Sequence, residues 1–227
     1  MKIGIFGCSY ADENSCRFTQ TNTGKAWSAL LKNQTDLEIE NYAHCGSSVY
    51  YSYNLFQKHH KKFDKIIYVV TSPTRITINH PTKPGEKLFF TSWETIVEKQ
   101  KQSMKDLGIL DAIDLYYQYI YDLEEFTTYR NLIIQDLQSR PNCLVLDFDD
   151  LLKVSIIDWG FFKRFDNQTY NDNTLFIDNR YCHMSTENNI ILSDMVLSWI
   201  RTGTFNYDFS KFVNPRLIDR FVYFVKR

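Results

Sequence analysis

The stretch "KIGIFGCSY", residues 2 to 10, opens with a continuous apolar run from Ile3 to Phe6 and stops abruptly at Gly7-Cys8-Ser9-Tyr10. A short apolar run cut off by small and polar residues is how a strand buried on both faces of a parallel sheet reads. Three further runs share this form: "LEIENY" (37 to 42), "KIIYVV" (65 to 70) and "CLVL" (143 to 146). Between them, "GKAWSALLKNQ" (24 to 34) sets Trp27, Leu30 and Leu31 at helical spacing, and "SSVYYSYNLFQKHHKKF" (47 to 63) does the same with Val49, Tyr53 and Phe56. Strand alternating with helix predicts a three-layer α/β/α architecture around a central parallel sheet, with right-handed crossovers.

After the third strand the pattern loosens. Pro73, Pro81 and Pro84 mark residues 71 to 90 as loop, and Thr91 with Glu94 reads as a capping box opening a helix that Gly108 stops. A second helical stretch, from Ile109 to about Gln138, carries Ile113, Tyr117, Ile120, Leu132 and Leu137. So much helix exceeds what a crossover needs, so a helical insertion at about 91–138 is expected, placed to cover the carboxyl edge of the sheet. "STENNIILSDMVLSWIR" (185 to 201) predicts an amphipathic helix with Ser185 as N-cap, an Ile191/Met195/Trp199 stripe and Gly203 at its end. An aromatic tail follows, about 204–227, with Pro215 in the first turn of a last short helix. No repeat or linker interrupts the chain, and a single domain over 1–227 is expected.

Composition narrows the function classes. The chain has 227 residues, of which 44% are hydrophobic, enough for a substantial core. With 26 basic and 27 acidic residues the net charge is -1, so no global field draws the chain to nucleic acid or an anionic membrane. No apolar stretch approaches bilayer length. Cys8, Cys16, Cys45, Cys143 and Cys182 form no C-x-x-C pair, and a reducing, cytoplasmic setting is expected. Gly24-Lys25 lacks the other residues of a P-loop. Asp147, Asp149 and Asp150, or His44, Cys45, Cys182 and His183, are residue types that hold metals, but strand-end carboxylates also cap turns and core cysteines act as small hydrophobes. No metal and no cofactor is expected.

Ligands of an open parallel sheet sit beyond the carboxyl ends of its strands. Five segments fall there: Gly7 to Tyr10, "NYAHCGSS" (41 to 48), "TSPTR" (71 to 75), "DFDD" (147 to 150) and, before the last helix, "DNRYCHMS" (178 to 185). A serine hydroxyl attacks a carbonyl only with a base to take its proton, and His183 is the best-placed base. The backbone N–H groups of Ser9 and Gly46 are candidate oxyanion donors, Gly46 because it lacks a side chain and opens a helix. The ordinary alternatives are that Ser9 caps the turn after its strand and that Arg75 merely holds its loop.

These segments resemble the SGNH/GDSL hydrolase superfamily. Gly7-Cys8-Ser9-Tyr10 is similar to its first block, with Cys8 where Asp is common. Asn41, five residues before Gly46 and its two following serines, resembles the second, and Cys182-His183-Met184-Ser185 resembles the last. The resemblance implies a flavodoxin-like sheet and a metal-independent esterase acting on a small-molecule or carbohydrate ester, an O-acetyl group on a sugar being one candidate. It implies Ser9 as nucleophile, His183 as base and then acid, and Asp178 as the acid that orients His183. Two blocks depart from the pattern. "VVTSPTR" has neither the glycine nor the asparagine of the third block, leaving Thr71, Ser72, Thr74 or Arg75 to complete the oxyanion hole. Arg180 stands where the acid is usual, so a main-chain carbonyl is the alternative orienter to Asp178. Asn41 is expected to fix the Gly46 loop. The competing reading is a catalytically inactive relative that binds a carbohydrate or a protein; oligomeric state stays open.

Overall fold

The computed structural model describes residues 1–13, 26–34, 36–91, 98–147, 184 and 186–212. Four parallel strands form the central sheet: β1 (Lys2–Gly7), β2 (Glu38–Asn41), β3 (Lys65–Val70) and β6 (Cys143–Asp147), in the order β2-β1-β3-β6. Strand order reverses at β1, so β1 and β3 flank the topological switch point, as in the flavodoxin-like arrangement.

Period-two alternation splits the side chains between two cores. Ile3, Ile5, Ile67, Val69 and Leu146 pack on one face against α1 (Trp27–Asn33) and α6 (Thr186–Thr202). Phe6, Ile66, Tyr68 and Val70 pack on the other against α2 (Val49–His59) and α5 (Leu123–Gln138). The expected three layers are therefore present. Gly4 belongs to the second face, where an added Cβ would lie 2.4 Å from the Phe63 ring.

The region after β3 differs from the loop expected there. Residues 71 to 90 contain an antiparallel hairpin, β4 (Arg75–Asn79) with β5 (Lys87–Thr91), and Pro81, Pro84 and Gly85 fall in its turn. The prolines reported the turn faithfully and masked the alternation of Ile76, Ile78, Leu88 and Phe90 on either side of it. Thr91 is the last residue of β5, and Glu94, its expected capping partner, lies outside the described residues. The next helix among the described residues is α3 (Glu98–Asp106), after which Gly108 turns the chain with φ +67°. The single stretch expected over 109–138 is two helices, α4 (Leu110–Tyr119) and α5, parted where Asp122 caps α5 by accepting from Glu124 N at 2.8 Å. The hairpin, α3 and α4 share a small third core around Ile76, Met104 and Ile113, whereas α5 packs through Leu137 on the sheet as an ordinary crossover helix.

Helix α6 buries Leu192, Val196, Trp199 and Ile200, with Ile191 and Met195 at the margin of that stripe. Its buried face is thus rotated by one position from the expected stripe. Gly203, with φ +80°, closes the helix by donating to Trp199 O at 2.8 Å. Ser185 and the segment beginning at Pro215 lie outside the described residues. No helix among the described residues is long and apolar enough to cross a membrane.

Candidate functional site

The loops after β1 and β2 are stitched together at the carboxyl edge of the sheet. Gly7 ends β1 with φ +138°, and a Cβ there would stand 2.5 Å from Val69 O, so only glycine fits. Its carbonyl is a hub: it accepts from His44 N at 3.0 Å, Ser47 Oγ at 2.9 Å and Ser52 Oγ at 3.2 Å. Asn41 Nδ2 donates to Ala11 O at 2.7 Å while its Oδ1 accepts from Ala43 N at 2.9 Å. Asp12 Oδ2 accepts from Cys45 N at 2.8 Å. Asn41 and Asp12 thus hold opposite ends of the second loop against the first.

Each loop presents an amide. After β1, Cys8 O accepts from Ala11 N at 2.9 Å and Asp12 N at 3.1 Å, curling residues 8 to 12 into a turn with Ser9 at its start. The second loop makes a tight turn in which Ser47 N donates to His44 O at 3.1 Å and Gly46, with φ +80°, takes the position that favours glycine. Among the described residues neither the Ser9 nor the Gly46 N–H donates to a backbone acceptor. Ser48 then caps α2 by accepting from Tyr51 N at 3.2 Å. Over this turn lies Phe89 of the hairpin, its ring 4.6 Å from that of His44 and 5.1 Å from that of Tyr51.

The third loop begins beside Ser9. Gly7 pairs with Val69 across the switch point, so Ser9 and Thr71 each lie two residues beyond a paired position. Both are buried, Ser9 2% and Thr71 1% exposed. Thr71 Oγ1 is enclosed and, among the described residues, has no hydrogen-bond partner. Burying a hydroxyl that way costs about 1–3 kcal/mol. Ser72 and Thr74 bond to each other, Oγ to Oγ1 at 2.8 Å, and Arg75 is the first residue of β4 instead of a loop residue.

His183 and Asp178, the expected base and its orienter, lie outside the described residues, as do Cys182, Asp149 and Asp150. The residue following His183 is described. Met184 is 1% exposed in the same core as Cys8 and Tyr10, the two neighbours of Ser9. Asn189 secures it: Nδ2 donates to Met184 O at 3.0 Å and Oδ1 accepts from Trp27 N at 2.8 Å, while Trp27 Nε1 donates to Tyr10 O at 2.6 Å. This chain of bonds ties the start of α6 to the turn that bears Ser9.

Three residues with a part in this edge escaped the sequence reading. Asp12 was visible only as an acid three positions after Ser9, Asn189 only as an amide in an apolar helix, and Arg130 gave no local signal. Arg130 is 8% exposed; its Nε donates to Thr71 O at 3.1 Å and its Nη2 pairs with Asp147. Asp147 is therefore engaged by a guanidinium. Among the described residues no three His, Cys, Asp or Glu side chains converge as a metal site. Burial pushes the Cys143 thiol up to about 12, the behaviour of an inert core cysteine.

Fold and edge together define a parallel α/β protein in which the loops after β1 and β2 are bonded to each other at the switch-point edge. The chain matches no protein-family model and no curated protein. Its fold is similar to several solved structures. One is a member of the lipolytic G-D-S-L family from Veillonella parvula, with 14% identity, 88% of this chain and 98% of that chain covered, and a TM-score of 0.38. Another is an acetyl xylan esterase, with 15% identity, 88% and 100% covered, and a TM-score of 0.38. A third is the lipase/acylhydrolase from Enterococcus faecalis, with 13% identity, 91% and 98% covered, and a TM-score of 0.39. At such identities neither the activities nor the site residues of those proteins transfer to this chain.

Proposed function

We propose that the protein is a serine hydrolase of the SGNH type that cleaves a small-molecule or carbohydrate ester. Ser9 Oγ attacks the carbonyl carbon as His183 takes its proton. The oxyanion so formed is met by the Ser9 and Gly46 N–H groups, with a further donor from Thr71 to Arg75. Collapse expels the alcohol, which His183 protonates. Water, deprotonated by His183, then attacks the acyl-serine to release the acid and restore Ser9. Asp178 orients His183, and no metal or cofactor enters any step. Ser9 is 2% exposed, and an O-acetyl group on a sugar is the ester we propose for it.

The observation that carries this reading is the pair of amides at Ser9 and Gly46 that, among the described residues, donate to no backbone acceptor, in neighbouring loops held around the Gly7 carbonyl. Turnover of p-nitrophenyl acetate tests it. Ser9→Ala and His183→Ala are each expected to lose at least about 10³-fold in kcat. Unchanged turnover in Ser9→Ala overturns the mechanism. Asp178→Ala falling as far as His183→Ala assigns the acid, while a fall under about tenfold assigns a main-chain carbonyl as orienter.

The same burial of Ser9 favours a second reading, a catalytically inactive module that binds a carbohydrate or protein. Folded wild-type protein without turnover of any acyl ester would select it.

A further inference from the structure

Loop 71–75, which completes the site edge, is held by the insertion and α5. Arg130 Nε donates to Thr71 O at 3.1 Å, Tyr121 OH to Pro73 O at 3.3 Å and Tyr117 OH to Thr74 O at 3.0 Å. Three side chains of α4, α5 and the segment between them thus bind three carbonyls within four residues. Arg130 is the buried member, and its second bond, to Asp147, reaches the end of the neighbouring strand β6. A guanidinium presents its donors in a rigid plane, so one side chain fixes the ends of β3 and β6 relative to each other. Directly at that fixed point stands the Thr71 hydroxyl, enclosed and, among the described residues, unpartnered. A native structure keeps such a group at a cost, and a ligand atom that accepts from it is a sufficient reason.

From this geometry we infer that Arg130 is a positioning residue, which holds Thr71 so that its hydroxyl donates to the oxyanion where the third block of this chain lacks an asparagine. The inference rests on the proposed hydrolase reading, because the oxyanion belongs to it. Arg130 touches no reacting atom. It acts through the Thr71 carbonyl, and Asp147 holds the guanidinium in place from the end of β6.

A double-mutant cycle tests the coupling. Arg130→Lys keeps the charge but cannot reproduce the two-acceptor fork, and kcat for p-nitrophenyl acetate is expected to fall at least about tenfold with KM changing less than about threefold. Thr71→Val is expected to lower kcat similarly, and the double variant to lie within about twofold of Thr71→Val alone. Falls that multiply, or a loss confined to KM, overturn the inference. Arg130→Gln/Asp147→Asn, which removes both charges together, replaces Arg130→Lys if that variant does not fold. Amide exchange across residues 71–75 gives a readout independent of ester chemistry. Exchange there is expected to quicken about tenfold in the Arg130 variant while Ile3 to Phe6 stay unchanged, and equal rates overturn the clamp. A wild type that turns over no ester while exchange does quicken overturns the hydrolase reading and the catalytic use of Arg130, and leaves the clamp as architecture.

Discussion

The loops after β1 and β2 hold each other, while the loop after β3 is held by residues far along the chain. In the first pair, backbone and short side chains suffice: the Gly7 carbonyl takes three donors, and Asn41 and Asp12 each bind the opposite loop. In the third, Arg130 reaches Thr71 across 59 residues and Tyr121 reaches Pro73 across 48. The first arrangement is written in backbone groups and short side chains; the second depends on long side chains that the insertion and α5 bring. An edge built both ways can keep its first two loops constant and vary its third wall.

The largest way to break the contrast is at Gly7. Gly7→Ala forces a side chain into a positive φ and against Val69 O at 2.5 Å, and is expected to destabilise the protein by about 3 kcal/mol in denaturant titration. A loss under about 1 kcal/mol would show that the hub is not rigid.

Asn41→Ala removes one bond between the first two loops, to Ala11 O, and one within the second, from Ala43 N, and is expected to cost about 2 kcal/mol, with faster exchange at Ala43 and no change at Thr74. Equal quickening at both positions would mean that the two regions are not separately held.

Tyr117→Phe removes one donor to the third loop and is expected to cost about 1 kcal/mol, with exchange quickened only within 71–75. Spread of the effect to the Gly46 turn would join what the comparison keeps apart.

The smallest effect belongs to the surface at the outer edge of β2. Hydrogen bonds from Lys2, Lys62 and Tyr42 lower the Glu40 carboxyl from 4.5 to about 2. A lowered carboxyl stabilises the fold above its unfolded value, and that stabilisation is lost as pH falls from 4.5 toward 2. Glu40→Gln is therefore expected to flatten the acid limb of the thermal midpoint in that window and leave neutral turnover unchanged. An unaltered acid limb would remove this network from the stability of the β2 edge.

How much was legible in the sequence follows the same division. β1 and β3 were readable because continuous apolar runs have one use in an α/β chain, to lie buried on both faces. Gly7 and Gly46 were readable as turn positions because glycine takes a positive φ freely, while the bonds from Asn41 to Ala11 and from Ser47 and Ser52 to Gly7 were not. The hairpin was not, because Pro81 and Pro84 outweighed a period-two pattern only five residues long on each side. The break at Asp122 was hidden because Ile120 and Leu132 read as members of one apolar stripe, whereas both are exposed and the two helices pack in different cores. Arg130 was illegible for a stronger reason. A buried arginine is recognised by its acceptors, and here one lies in the loop after β3 and the other at the end of β6.

Mass spectrometry of the intact chain after treatment with a fluorophosphonate tests the nucleophile most directly. One phosphonyl adduct is expected, located by peptide mapping on Ser9 and absent from Ser9→Ala. Folded wild type that takes no adduct, or takes it at another residue, contradicts the assignment of Ser9 as the attacking group.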